Sequence, residues 1–236
     1  MNRVLKVTRL QLNKRDVSFL VPAAIVLMVL LVTALIAFAL QRGGLDASSP
    51  DYAEGARNNM GMVWSLPGFL IYYGVQAVAT TFPFAMALGA TRRSYVFGTA
   101  IANLLTSLYV ALIMLALLGI ELATGHWFFG VYALDNYAFG AGDPWVLFAT
   151  AFVGTFACTS IGGVFGAVWV RFGSRGPTVL GLALGVVLAA LVLLFVPQAG
   201  QIIAAITRPL LAGVGIGISI VCLLGTWFSM RRTAVR

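Results

Sequence analysis

Charged side chains are scarce in this sequence. Only 9% of the 236 residues are Asp, Glu, Lys or Arg, whereas 61% are apolar. A soluble domain carries roughly 25% charged residues because its surface faces water. So few charges exclude an ordinary soluble fold, and the apolar excess indicates a chain whose surface faces lipid.

The sequence also lacks residues that catalysis and energy coupling usually require. Its only lysines are Lys6 and Lys14, and neither follows a glycine, so no phosphate-binding loop ending in Gly-Lys is present. Its only histidine, His126, is far in sequence from Cys158 and Cys222, which fall in apolar runs and read as reduced thiols. We therefore predict no catalytic, cofactor-binding or metal-binding residue, and any use of ATP requires a partner chain.

Six apolar runs are long enough to cross a bilayer, which takes about 20 residues. None contains an ionisable Asp, Glu, Lys, Arg or His, each of which is costly in the hydrocarbon core. The first run exceeds the apolar region of a signal peptide, so we expect a span there and not a cleaved leader. The sequence predicts an all-α polytopic membrane protein with six transmembrane helices, at residues 18–40, 63–88, 96–120, 145–170, 178–196 and 209–229.

Basic residues are distributed unevenly among the connections. Twelve of the 15 lie in residues 1–17, in the second-to-third and fourth-to-fifth connections and in the tail; Arg42, Arg57 and Arg208 lie on the opposite side. The excess of Lys and Arg in cytoplasmic segments predicts that both termini are cytoplasmic. We expect a multi-pass protein of the bacterial inner membrane that binds no nucleic acid. Its predicted parts are a cytoplasmic interfacial helix (1–17), a transmembrane domain (18–229) and a cytoplasmic tail (230–236).

The first 17 residues have the pattern of an amphipathic helix on the membrane surface. The alternative is a disordered basic tail that only sets topology. At 100° per residue Val7, Leu10 and Arg15 fit the pattern poorly. The basic side of the helix carries Arg3, Lys6, Arg9 and Lys14, and the apolar side carries Val4, Leu5, Thr8 and Leu12.

The second-to-third connection combines a flexible glycine, a possible helix cap in Thr91, paired arginines and an aromatic residue. These features suit a small knob that docks on a cytoplasmic partner, although a simple topology-setting turn has the same composition. The candidate docking residues are Gly89, Ala90, Thr91, Arg92, Arg93, Ser94 and Tyr95.

Glycines recur at four-residue spacing in the last three spans, which lets helix backbones approach closely. We expect packing within one subunit, or else a dimer interface or moving seam. The glycines are Gly162, Gly166, Gly181, Gly185, Gly213 and Gly217.

The predicted outer segments are short. Residues 41–62 are polar, and residues 46–51 within them read as a loop. Residues 197–208 read as one short helix between two prolines. Residues 121–144 are rich in aromatics, which favour the headgroup region, so we expect this stretch along the interface. Those aromatics are Trp127, Phe128, Phe129, Tyr132, Tyr137 and Phe139.

The complete pattern resembles the membrane subunits, or permeases, of ABC-2 type ABC transporters. Those subunits share a basic amphipathic N-terminal helix, six spans with both ends inside and a short arginine-bearing loop between spans two and three. Residues 82–99, with the run Leu-Gly-Ala-Thr-Arg-Arg at 88–93, are similar to the "LG-x-T/S-R-R" segment of bacterial members. Unlike some relatives, the chain has no large outer domain.

The resemblance implies a half-transporter that pairs with a second copy of itself or a homologous permease. Cytoplasmic ABC ATPase subunits, which hold ATP and Mg²⁺, would dock beneath the pair. Residues 89–95 would then be the coupling helix and residues 2–15 the elbow helix. Alternatives are a secondary carrier, in which backbone carbonyls bind Na⁺, a structural subunit of a membrane complex, and, with least support, a membrane enzyme.

Overall fold

The protein is predominantly helical in the part that the computed structural model describes, residues 3–231 without the side chains of 203 and 204. The predicted tail beyond residue 231 and the first two residues lie outside the described residues. No strand occurs between residues 3 and 231. The α-helices are α1 Arg3–Leu12, α2 Val21–Arg42, α3 Pro50–Arg57, α4 Gly61–Ser65, α5 Pro67–Ala79, α6 Thr81–Ala87, α7 Arg92–Ala123, α8 Pro144–Phe172, α9 Arg175–Phe195, α10 Ala199–Ala205 and α11 Arg208–Arg231.

Six helical segments of residues 3–231 are long and apolar enough to cross a membrane, which confirms the predicted number of spans. The helices extend beyond the apolar runs because basic side chains at their ends reach toward polar surroundings along apolar stems. A π-helical turn, Asp16–Leu20, precedes α2. The segments are Asp16–Arg42, Pro50–Ala87, Arg92–Ala123, Pro144–Phe172, Arg175–Ile202 and Arg208–Arg231.

The second segment is divided into short helices. A proline cannot donate to the carbonyl four residues before it, so helices break near prolines. The interruption at Leu66 lies beside Pro67, and the one at Thr80 precedes Pro83 by three residues. The predicted span 63–88 is therefore three consecutive helices, α4 to α6, instead of one.

Residues 46–49 are non-helical, as predicted, but an unpredicted helix, α3, begins at Pro50 and takes in the last two residues of the predicted loop. Ser49 is the N-cap, and its side chain accepts a hydrogen bond from the Tyr52 N–H at 3.2 Å. Pro50 occupies the first helical position, where its missing N–H costs nothing. The predicted short helix in 197–208 is present as α10, preceded by a 3₁₀ turn, Val196–Gln198.

The chain divides into two compact units. The first comprises the residues up to Gln11, Ile71–Ile101 and the residues from Ala157 onward; the second comprises Leu12–Leu70 and Ala102–Phe156. The core of the first unit joins α1 to the helices around it. Its buried members are Val7, Val78, Phe82, Ala85, Tyr95, Val96, Ala167 and Met230.

In the first unit, one of the three predicted glycine pairs makes close helix contacts. A Cβ at Gly162 would overlap the Ile71 carbonyl oxygen and lie 2.9 Å from the Gly74 Cα, so α8 and α5 touch along their backbones. Gly166 continues this contact, since its added Cβ would lie 2.7 Å from the Val75 carbonyl oxygen. The other four glycines do not pack in this way: Gly181 has only Phe165 at 4.0 Å, and nothing lies within 4 Å of an added Cβ at Gly185, Gly213 or Gly217.

A buried carboxylate holds the 121–144 segment in the second unit. Glu121 is 0% exposed. Its carboxylate oxygens accept hydrogen bonds from the N–H groups of Ala133, Leu134 and Asp135 at 2.9–3.1 Å, and from the Trp127 indole at 3.3 Å. A carboxylate that accepts several hydrogen bonds in place of water can be buried at tolerable cost.

Asp135 forms a second buried group beside it. One oxygen, Oδ2, lies 3.0 Å from the Arg57 guanidinium and 2.9 Å from His126 Nε2. The Tyr132 ring stacks on the His126 ring, with 4.0 Å between ring centres. The Arg57 guanidinium carbon lies 5.4 Å from the centre of the Tyr132 ring. The aromatic residues of the 121–144 segment differ in exposure: Phe139 is buried, Tyr132 is half-buried, and Phe128, Phe129 and Tyr137 are exposed.

Changing Glu121 to Gln is expected to loosen this segment. The amide keeps one acceptor oxygen but points an NH₂ group at a backbone donor, which leaves a buried N–H unsatisfied at a cost of about 1–3 kcal/mol. We expect faster hydrogen exchange at residues 133–135. An exposed acid changed in the same way, Glu54→Gln, is the control, and unchanged exchange in Glu121→Gln would contradict the role given to this carboxylate.

Candidate partner-docking surface

Helix α1 is fixed to the first unit by a close contact at a glycine of α7. A Cβ at Gly98 would lie 2.7 Å from the Val7 Cβ and 2.9 Å from the Val4 carbonyl oxygen. Thr8 Oγ1 lies 3.1 Å from the Gly98 carbonyl oxygen and donates to it. Glycine at position 98 therefore creates the space in which α1 lies, and Val7 fills it.

Gln11 adds a polar attachment at the end of α1. Its Nε2 lies 2.8 Å from the Ala77 carbonyl oxygen, 3.0 Å from Tyr95 Oη and 3.2 Å from Thr99 Oγ1. Tyr95 also donates to the Ala77 carbonyl, so α1, α5 and α7 share one buried network. Buried polar networks whose members are satisfied hold their elements in one arrangement.

The buried face of α1 differs from the predicted apolar side. Val7, Thr8 and Gln11 are buried, although Val7 did not fit the predicted pattern, while Leu5 of the predicted apolar side is 51% exposed. The helix also ends at Leu12, so Lys14 lies beyond it. The basic residues Arg3, Lys6, Arg9 and Lys14 are all exposed.

The loop between α6 and α7 has a defined conformation. Gly89 has a φ of +79°, the left-handed region that glycine adopts readily. The Ala90 N–H donates to the Ala85 carbonyl at 3.0 Å and the Gly89 N–H donates to the Met86 carbonyl at 3.0 Å. This pair of bonds is a Schellman motif, so Gly89 ends α6 instead of giving the loop flexibility.

Thr91 begins α7 as its N-cap, which confirms the predicted cap. The Ser94 N–H donates to Thr91 Oγ1 at 3.2 Å, and the Thr91 N–H donates to Ser94 Oγ at 3.0 Å. This reciprocal arrangement is a capping box in which Ser94 takes the place usually held by Glu or Gln. The loop is thus held at both ends by local hydrogen bonds.

Two of the seven candidate docking residues face inward. Tyr95 is 0% exposed and its ring packs edge-on against Phe82 at 5.1 Å between ring centres. Ser94 is buried by its role in the cap. Both side chains are therefore turned away from the surface, and Tyr95 supports the loop from inside.

The two arginines differ as well. Arg92 is half-buried and its guanidinium donates to the Arg231 carbonyl at the end of α11. Arg93 is exposed, and its guanidinium lies 5.9 Å from the Phe97 ring centre. Arg93 is therefore the more accessible of the two arginines.

A groove of about 360 Å³ separates α1 from the loop. Arg3, Lys6 and Leu10 line its α1 side, and Leu88 and Gly89 line the other. Leu88 is 68% exposed, which is unusual for a leucine among charged groups. We call the exposed side chains of Arg3, Lys6, Leu88 and Arg93 the basic surface.

No protein-family model, curated protein or solved structure matches the chain. The chemistry of the basic surface is therefore what indicates its role. Both ion pairs found within residues 3–231 involve Asp135, so Arg3, Lys6 and Arg93 have no carboxylate partner there. A surface with three such cations around an exposed leucine fits an acidic partner with an apolar pocket.

Two residues that build this site were not predicted. Gln11 was overlooked because its acceptors lie 66 to 88 residues away in sequence, and no local pattern reveals such pairs. Gly98 had a signal: it lies five residues after Arg93, inside the run predicted as the third span, and a glycine inside a helix often has a packing reason.

Changing Gln11 to Ala is expected to release α1. The Ala77 carbonyl and the Tyr95 hydroxyl lose a buried donor, at a cost of about 1–3 kcal/mol. Each 1.4 kcal/mol raises the population of chains with α1 detached roughly tenfold. Trypsin cleavage at Arg9 in mild detergent should accelerate accordingly. The control is Asn13→Ala, an exposed amide two residues away, and equal cleavage rates in both variants would contradict the tether.

Proposed function

We propose that the chain is the membrane-spanning permease subunit of an ATP-driven ABC transporter, with export as the direction of transport. The observation that carries the proposal is the basic surface: cations with no acidic partner among residues 3–231, on a helix and a loop that are attached to apolar spans. The sequence has no phosphate-binding loop of its own, so ATP and Mg²⁺ belong to a separate ATPase chain. The resemblance of residues 82–99 to ABC-2 permeases supports the same assignment.

In this proposal α1 and the 88–93 loop face the cytoplasm, with both termini on that side of a bacterial inner membrane. The ATPase docks on the basic surface, and a second copy of the chain or a homologous permease completes the pathway. The chain itself is not an enzyme. A secondary carrier or a structural subunit remains the alternative, distinguished by the absence of a nucleotide-binding partner.

The attachment of the loop explains how a docked ATPase would act on the spans. The loop is the direct connection between α6 and α7, and Gln11 links α1 to α5 through Ala77 and to α7 through Tyr95. A push on the basic surface therefore moves these helices together instead of bending a flexible loop. Closure of the ATPases around ATP would in this way rearrange the pathway.

Site-specific crosslinking in native membranes tests the proposal. A photoreactive phenylalanine analogue replaces Leu88 in one strain and Leu193 in another; both leucines are highly exposed, at 68% and 77%, but Leu193 lies within an apolar span. We expect Leu88 to crosslink to a protein that contains a phosphate-binding loop, and Leu193 not to do so. A crosslinked partner without such a loop, or none at all, would exclude the ABC assignment.

A further inference from the structure

A second cavity, in the second unit, is separate from the basic surface. It has a volume of about 560 Å³ and lies between the last turns of α2 and one face of α3. The α2 side is mostly aliphatic and includes Ile36 and Leu40. The α3 side is formed by residues 51, 52, 55 and 56, a spacing that places them on one face of the helix, and Asn59 follows just beyond the end of α3.

Small residues on α3 create the space. Gly55 and Ala56 face the cavity, and a Cβ added at Gly55 would have nothing within 4 Å. The surrounding frame is well supported, because an added Cβ at Gly130 would lie 3.4 Å from the Tyr52 ring and Tyr132 is packed against Arg57 and His126. The cavity is therefore largely preformed, as ligand sites usually are.

The cavity has an amphipathic lining with one sign of charge. Ile36, Leu40 and Leu45 present exposed aliphatic surface. Of the lining residues that the structure describes, Asp51 is the only charged one. The nearby Arg57 does not offset this charge, because its guanidinium is bonded to Asp135.

The cavity lining also contains neutral polar groups. They are Asn59, Ser49 and two tyrosines, Tyr52 and Tyr132. Burial raises the pKa of the Tyr132 hydroxyl, so this group stays protonated and uncharged at neutral pH. A ligand head group thus meets one carboxylate and neutral hydrogen-bonding groups.

We propose that this cavity binds a cationic amphiphile, with the positive head group near Asp51 and the aliphatic tail along Ile36 and Leu40. Charge complementarity selects the cation, because no basic side chain among the described residues lines the cavity. The aliphatic wall formed by α2 excludes a small hydrophilic ion as the preferred ligand. This inference does not depend on the proposed ATPase partner, since binding is a property of the chain alone.

Photolabelling of the purified full chain in phosphatidylcholine nanodiscs tests the inference. The cationic probe is dodecyltrimethylammonium with a diazirine in its tail. The neutral probe is dodecyl maltoside with the same diazirine-bearing tail. We expect saturable labelling by the cationic probe at residues 33–59, competed by unlabelled dodecyltrimethylammonium. Asp51→Asn should reduce this labelling about tenfold, the loss expected for one charged contact, and should leave labelling by the neutral probe unchanged.

Two matched controls keep the test decisive. Glu54→Gln removes a carboxylate from the same helix that does not line the cavity, and it should label as wild type. Gly55→Leu fills the cavity and should abolish labelling by both probes, whereas Gly119→Leu, at another glycine with open space around it, should not. Equal labelling by both probes in wild type and in Asp51→Asn would show that the cavity is a lipid-filled crevice without preference for a cation, and would overturn the proposal. Normal labelling of Gly55→Leu would overturn it as well.

Discussion

Replacing Arg93 with Glu is expected to remove most of the bound ATPase from the purified chain. Arg93 is exposed on the basic surface and has no acidic partner among residues 3–231, so its charge is available to a docking protein. Reversing a charge at such a contact costs about 2–5 kcal/mol of binding, and each 1.4 kcal/mol corresponds to a tenfold change in affinity. We therefore expect at least a tenfold loss of co-purifying ATPase, and transport that no longer follows ATP hydrolysis.

The matched control is Arg175→Glu. Arg175 is exposed and begins α9, much as Arg93 lies in the first turn of α7. Glutamate is favourable in the first turn of a helix, so neither substitution should disturb folding. The double change of Arg92 and Arg93 is less informative, because Arg92 also bonds to the Arg231 carbonyl. An Arg93→Glu chain that co-purifies with as much ATPase as the wild type would contradict the docking role of this surface.

Replacing Gly162 with Leu is expected to prevent correct packing of the first unit. Its Cβ would overlap the Ile71 carbonyl oxygen and lie 2.9 Å from the Gly74 Cα. These atoms are backbone and cannot rotate away as a side chain does. Overpacking typically costs 1–3 kcal/mol or more, and displacing α5 from α8 belongs at or above the upper end of that range. The measurement is the thermal unfolding midpoint in mild detergent, together with the yield of monodisperse protein.

Gly217→Leu provides the comparison, since an added Cβ there has nothing within 4 Å. Both substitutions place the same side chain in an apolar span, so their difference isolates the helix contact. We expect Gly217→Leu to unfold at nearly the wild-type temperature. A Gly162→Leu protein as stable as Gly217→Leu would show that α5 and α8 do not pack as the structure describes.

The six spans could be predicted because their signal is local. Each is a continuous apolar run without charges, and burial in lipid requires nothing more. The missed helix α3 also had a local signal, a capping serine followed by proline at positions 49 and 50, but the turn-forming residues before it favoured a loop. The glycine spacing was less informative, since the same pattern occurs where helices touch, at Gly162, and where they do not, at Gly217.

The details of both sites depend on contacts between distant parts of the chain. A polar residue such as Gln11 is usually exposed, yet its amide is buried against Ala77 and Tyr95. Glu121 reads as one more acid in an outer segment, and its backbone donors follow 12 to 14 residues later in an irregular stretch. Such partners become visible only when the fold brings them together.

The most direct test of the proposed function is a mild-detergent purification of the tagged chain from its native membranes, with every co-purifying chain identified by sequence. We predict a stoichiometric cytoplasmic partner that contains a glycine-rich phosphate-binding loop. Purification without any such ATPase, from membranes in which the chain is intact and correctly folded, would contradict the ABC assignment and favour a secondary carrier or a structural subunit.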